Sequence, residues 1–137
     1  MDPINPPELG QARGWSNGLL APARGRLLFV AGQTAADPGG NVRETDFALQ
    51  FDAALARTMA VVAAAGGRAE HVARMTVFVS DLDAYRAARP RLGELWRARM
   101  GRHYPAMTLV EVSRLVDAGA LVEIEATAVL PDDEAPH

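Results

Sequence analysis

Cysteine is absent from this chain, and so is lysine. Without cysteine there is no disulfide, no thiolate nucleophile and no zinc–cysteine site. Without lysine there is no Schiff-base amine, which excludes the usual attachment of pyridoxal phosphate. Imine chemistry on this chain needs a substrate that is already an imine or enamine. All 14 basic side chains are arginine, a bias that genomic codon usage accounts for. Aromatic residues are 6% of the chain and there are 3 histidines. His71 and His103 are separated singletons, so neither a metal nor any other cofactor is expected. No run of about 18 apolar residues occurs, so no membrane span is expected. The formal charge is −3 and the pI about 5.6, which leaves no basic face for nucleic acid. The start, Met1-Asp2-Pro3-Ile4-Asn5-Pro6-Pro7-Glu8, is acidic and proline-rich where a signal peptide is basic and then apolar. Cytoplasmic residence is the expectation that follows.

The 137 residues are expected to form one domain, with residues 1–13 a loosely held arm and 131–137 a disordered tail. Gly14 to Leu20 reads as a short strand. Arg26 to Ala31 is a continuous apolar run ended by Gly32, as for a strand buried on both faces. A helix over 45–65 follows from the stripe Phe47, Phe51, Leu55, Met59 and Val62, with Thr45 as N-cap and Gly66-Gly67 as its stop. Arg74 to Val79 has β-branched, alternating strand character. Ser80-Asp81-Leu82-Asp83 resembles a capping box. It opens a helix over 82–100, broken or kinked near Arg89-Pro90, ended by Gly101 and buried through Leu92, Leu95 and Trp96. Strands at 107–112 and 120–130 close the chain.

The order β-β-α-β-α-β-β predicts an α+β two-layer sandwich, with two helices on one face of a single sheet. On the last strand Val122, Ile124, Ala126 and Ala128 belong against the helices, which turns Glu123 and Glu125 to the open face. Assigning Val110 and Val112 to the helix side puts Met107, Leu109 and Glu111 on the open face with Glu123. An open face mixing apolar groups and carboxylates is a candidate interface between copies. The arginines at 86, 89, 91, 97, 99 and 102 read as a solvated helix surface, from which Arg89 is the one weighed as a ligand contact. Tyr104 either lines a cleft or packs.

Tyr104-Pro105-Ala106-Met107-Thr108-Leu109-Val110-Glu111-Val112, followed by Ser113-Arg114-Leu115 and by Val122-Glu123-Ile124-Glu125-Ala126, resembles the C-terminal signature of the RidA (YjgF/UK114) family. Trp15-Ser16-Asn17-Gly18, Val30-Ala31-Gly32-Gln33, the helix ending in Ala64-Ala65-Gly66-Gly67 and Val77-Phe78-Val79-Ser80-Asp81-Leu82 are similar to further family segments in the same order. The resemblance implies a chorismate-mutase-like fold with a mixed sheet, a homotrimer around a central barrel, and small-molecule ligands in clefts between subunits. It implies hydrolysis of a reactive enamine or imine acid to a 2-keto acid and ammonia. One version is an activity like that of 2-aminomuconate deaminase. By the same resemblance Glu123 is the catalytic, water-orienting carboxylate. Gly32 and Leu109 contribute backbone groups, and Trp15 forms an aromatic wall. Arg89 stands where the family often has asparagine. Met107 occupies the position of the arginine that grips the substrate carboxylate. Three readings stay open there: Arg89 substitutes, Arg114 substitutes, or the ligand lacks a carboxylate at that place. Glu123 also has a structural reading, as one half of an interface ion pair. Two other functions are weighed: a non-catalytic metabolite-binding or protein-interaction trimer, and an endoribonuclease or translation inhibitor, which the acidic pI and the lack of a histidine pair oppose.

Overall fold

The computed structural model describes residues 1–132 of the chain. Strands β1 (Asp2–Ile4) and β2 (Gly18–Leu20) pair antiparallel as a separate ribbon. Strand β3 (Arg26–Gln33), helix α1 (Phe47–Ala64), strand β4 (Val72–Val79), helix α2 (Leu82–Met100), strand β5 (Ala106–Glu111) and strand β6 (Val122–Leu130) form the body. The main sheet has the order β3-β6-β4-β5. It is mixed: β6 runs antiparallel to β3 and β4, while β4 and β5 are parallel. The two helices cover one face, α1 against β3 and β6, and α2 against α1. This is the α+β sandwich expected, except that the strand read at Gly14 to Leu20 is β2 of the separate ribbon and not part of the single sheet.

Alternation on β6 holds as read. Val122, Ile124 and Ala128 are fully buried and Ala126 nearly so, while Glu123 is half-buried and Glu125 exposed. On α1, Phe47, Phe51, Leu55 and Val62 are buried, with Met59 packed beside them. Each fully buried aliphatic side chain of this core stabilises by roughly 1.5–3 kcal/mol. By length and hydropathy, α1 alone resembles a membrane span, with 18 residues and a mean hydropathy of 1.3. Its apolar stripe is instead the centre of the core, and Asp52 on its outer side pairs with Arg99 of α2 at 2.6 Å.

Several local readings are corrected. The N-cap of α1 is Asp46, which accepts from the Leu49 N–H at 3.1 Å, and not Thr45; both are cap-capable residues, one position apart. α2 is capped by Asp81, which accepts from the Ala84 N–H at 3.0 Å, and it runs unbroken through Pro90. Pro90 is exposed, as are Arg86 and Ala87, so water can satisfy the carbonyl that a proline leaves without its helical donor. The segment 1–13 is not merely an arm: its first residues form β1. Of the tail 131–137, only Pro131 and Asp132 lie within the described residues, and Asp132 pairs with Arg24 at 3.0 Å. The apolar run of β3 is not buried on both faces within one chain. Leu27 and Phe29 are 62% and 73% exposed, because β3 is an edge strand with helices on one side only.

One buried polar side chain fixes the approach to β6. Gln50 of α1, fully buried, donates through Nε2 to the carbonyls of Glu44 (2.7 Å) and Gly119 (3.0 Å), and its Oε1 accepts from the Leu121 N–H at 2.8 Å. Gln50→Leu leaves three backbone groups without partners. It is expected to lower the unfolding free energy by about 2–4 kcal/mol, read as a shift in the urea midpoint at unchanged slope. A loss under about 1 kcal/mol would show that water replaces the amide.

Candidate functional site

Two groups of site residues emerge, on opposite faces of the sheet. The first is Gly32 with Glu123. A β-bulge between Val30 and Gln33 brings the β3 backbone against β6. A Cβ on Gly32 would lie 2.8 Å from Glu123 Cδ and closer still to Oε2. The carboxylate therefore rests directly on backbone at position 32, and any larger residue there would push it out of this position. Burial raises the Glu123 pKa, and the nearby charges of Asp117 and Glu125 raise it further. Asp117 is held by Thr34, whose hydroxyl donates to it at 2.5 Å. Arg114, weighed in the sequence as a partner for Glu123, is exposed and forms no ion pair with it among the described residues.

The second group is Met107 with Leu109, and here the sequence reading of β5 is wrong by one residue. Met107 pairs with Met75 and Leu109 with Val77 in the parallel ladder, and Met75 and Val77 are fully buried on the helix side. Met107 and Leu109 thus face the helices, while Val110 is 40% exposed on the open face. Glu111 follows the same phase: its Oε2 accepts from the Leu82 N–H at 2.9 Å, at the start of α2. Met107 and Leu109 line a cleft of about 330 Å³ between β5 and the helices, together with Phe51, Tyr85, Trp96 and Arg97. Tyr104 also lines it, stacked on Trp96 with ring centroids 6.3 Å apart at 5°.

Trp15 is not among the residues that line this cleft. Its neighbour Gly14 is part of the lining, and Ser16 is pinned to the start of β5, donating from N to the Pro105 carbonyl (3.0 Å) and from Oγ to the Tyr104 carbonyl (2.7 Å). The indole is 43% exposed. Arg89 is exposed on α2 and is not among the lining residues. The charged residue of the lining is Arg97, which the sequence hid in a run of arginines read as solvated surface. His71 and His103 line another cavity together, although each ring is engaged with backbone: His71 Nδ1 accepts from the Arg68 N–H at 2.9 Å, and His103 Nε2 donates to the Val72 carbonyl at 2.6 Å. Among the described residues no group of three metal-ligating side chains is gathered.

A mixed four-stranded sheet with two helices on one face, an apolar cleft at one edge strand and Glu123 with Glu125 on the other face defines an α+β sandwich of the YjgF class. The chain belongs to the RidA/YjgF family: the family model described as Endoribonuclease L-PSP matches residues 8–130. It is similar to a RutC family protein of Pyrococcus horikoshii, 34% identical over 105 residues that cover 76% of this chain and 79% of the relative. It is also similar to the 2-iminobutanoate/2-iminopropanoate deaminase of Escherichia coli, 31% identical over 105 residues that cover 77% and 80% of the two chains. Among solved structures, a conserved Rid family protein of Yersinia pestis superposes with a TM-score of 0.79 at 28% identity, over 93% of this chain and 97% of that one.

The raised Glu123 pKa has a signed consequence. Below the ordinary value of 4.5 both folded and unfolded chains hold the proton. Above it the folded chain keeps the proton longer, so stability falls as pH rises from 4.5 through the raised folded value. Glu123→Gln removes that fall. Its melting-temperature advantage over the parent is expected to grow from none well below pH 4.5 to a plateau at neutral pH. An advantage that does not change with pH would contradict the stated environment of Glu123.

Proposed function

We propose that the chain is a homotrimeric enamine/imine deaminase, with the ligand in a cleft between subunits. The observation that carries this reading is Glu123: a carboxylate seated on the Gly32 backbone and unpaired among the described residues, its proton affinity raised by burial and by Asp117 and Glu125. A carboxylate in that condition suits a base that holds and deprotonates water. The water oxygen bonds to the imine carbon as Glu123 takes one water proton and hands it to the nitrogen, and Glu123 then moves the hydroxyl proton of the resulting carbinolamine to the departing amine. Collapse of the carbinolamine then breaks the C–N bond, releasing ammonia and a 2-keto acid. Relatives named 2-iminobutanoate/2-iminopropanoate deaminase support the same chemistry.

Assembly follows from the division of the site. Met107 and Leu109 lie on the helix face and Glu123 on the other, so the sheet stands between them within one chain. A small ligand meets both sets when the cleft of one copy faces the Gly32–Glu123 edge of the next. The exposed Leu27 and Phe29 supply apolar area for such contact. Met107, uncharged, favours an altered substrate, since it offers no partner for a carboxylate. It also favours a second reading, a trimer that binds metabolites without turning them over.

Ammonia release from 2-iminobutanoate generated in situ separates the two. The deaminase reading predicts a rate above spontaneous hydrolysis, lowered roughly a hundredfold or more in Glu123→Ala. It also predicts a gain of about ten- to a hundredfold in Met107→Arg, from the restored charged hydrogen bond. A parent rate equal to the spontaneous one, unchanged in Met107→Arg, would leave the binding module.

A further inference from the structure

We propose that Arg97 is the carboxylate anchor of the cleft, and that the cleft takes an acid with an aromatic or extended apolar body. This rests on reading the cleft as the ligand site. Arg97 is the charged residue of a lining that is otherwise apolar or uncharged. Its neighbours on α2 are committed elsewhere: Arg91 pairs with Asp46 at 2.8 Å and Arg99 with Asp52 at 2.6 Å, both bridging to α1. Arg97 makes no ion pair among the described residues.

The helix is shaped for this side chain. Gly93 lies one turn before Arg97 and lines the same cleft. Glycine inside a helix is less favourable than alanine, and here it keeps the surface beside the guanidinium low. A Cβ on Gly93 would stand 3.4 Å from Arg97 Nη1. The guanidinium folds back over the helix toward the cleft, where its planar fork matches a carboxylate in two hydrogen bonds. Arg97 is itself exposed, at the mouth of the cleft.

The walls define the rest of the ligand. Trp96 and Tyr104 present nearly parallel rings, and Phe51, Leu92 and Leu109 complete an apolar surface. A volume of about 330 Å³ is at the low end of pockets for small organic ligands, and more than a four-carbon acid fills. With the anchor on α2 and Met107 neutral on β5, the carboxylate is bound on the helix side and the apolar body extends along the strand. Preference for larger, flatter acids over short ones follows.

The test is binding, read by calorimetry on the full chain with phenylacetate and its neutral isostere phenylacetamide, so it does not depend on turnover. The parent is expected to prefer the acid at least about tenfold. Arg97→Gln is expected to weaken phenylacetate roughly ten- to a hundredfold and to make acid and amide equal. Arg86→Gln, an exposed change on the same helix outside the cleft, is expected to leave both unchanged. Gly93→Leu, which fills the cleft and keeps the charge, is expected to abolish binding of both. An acid preference that survives Arg97→Gln, equal binding of acid and amide by the parent, or binding of neither would overturn the proposal. Arg97-dependent binding without ammonia release would remove the deaminase reading and leave this one standing; ammonia release without Arg97-dependent binding would do the reverse.

Discussion

Strand β4 is paired on both sides, antiparallel with β6 and parallel with β5, and that double ladder decides what each side chain of the site can touch. Because side chains alternate with a period of two, fixing one register fixes all. Met75, Val77 and Val79 are buried under the helices, so their partners on β5 and β6 share that face: Met107, Leu109 and Glu111 on one side, Ala126, Ile124 and Val122 on the other. Glu123 is then bound to the opposite face, beside Gly32. Division of the site between two faces is therefore a property of hydrogen-bond register, and it turns a monomeric fold into an argument for assembly.

The open face would be hard to explain otherwise. Phe29 and Leu27 expose large apolar groups next to strands that carry Glu123, Glu125 and Arg74. Unmatched apolar area of this kind on a small domain fits the proposed contact between copies. The electrostatics agree. Glu123 has two carboxylates near it and no cation among the described residues of its own chain, an arrangement disfavoured for a charge whose only task is structural. Gln50 supports the same region from inside the core by tying α1 to the residues that lead into β6.

Much of this was legible in the sequence. The order of helices and strands, the buried stripe of α1 and the alternation of β6 all rest on strong periodic patterns, and the family rests on segments spread over most of the chain. The phase of β5 was not legible, because both of its alternating sets are apolar: Met107 and Leu109 on one, Val110 and Val112 on the other. Choosing the β-branched set as core is reasonable from propensity and fails because parallel pairing with β4 outranks it. The exposure of β3 is a related case, since both of its faces are apolar in sequence and the helices cover only one of them. Arg97 was hidden by composition, as one arginine among many on a helix, and its place in the cleft lining, with no ion pair among the described residues, distinguishes it. Gln50 gives no local sign of its role, which depends on backbone groups about 70 residues away.

The absence of cysteine allows a direct measurement of whether the two halves of the site meet between copies. Met107→Cys and Glu123→Cys are made in separate chains of different tag length, coexpressed, and treated with a short bis-maleimide. Each chain then carries a single thiol, so any link that joins one of each is between subunits. Efficient formation of the mixed product, read by mass, is the result expected if the cleft of one copy faces the glutamate of the next. Absence of the mixed product, with both thiols shown to be reactive, would contradict it.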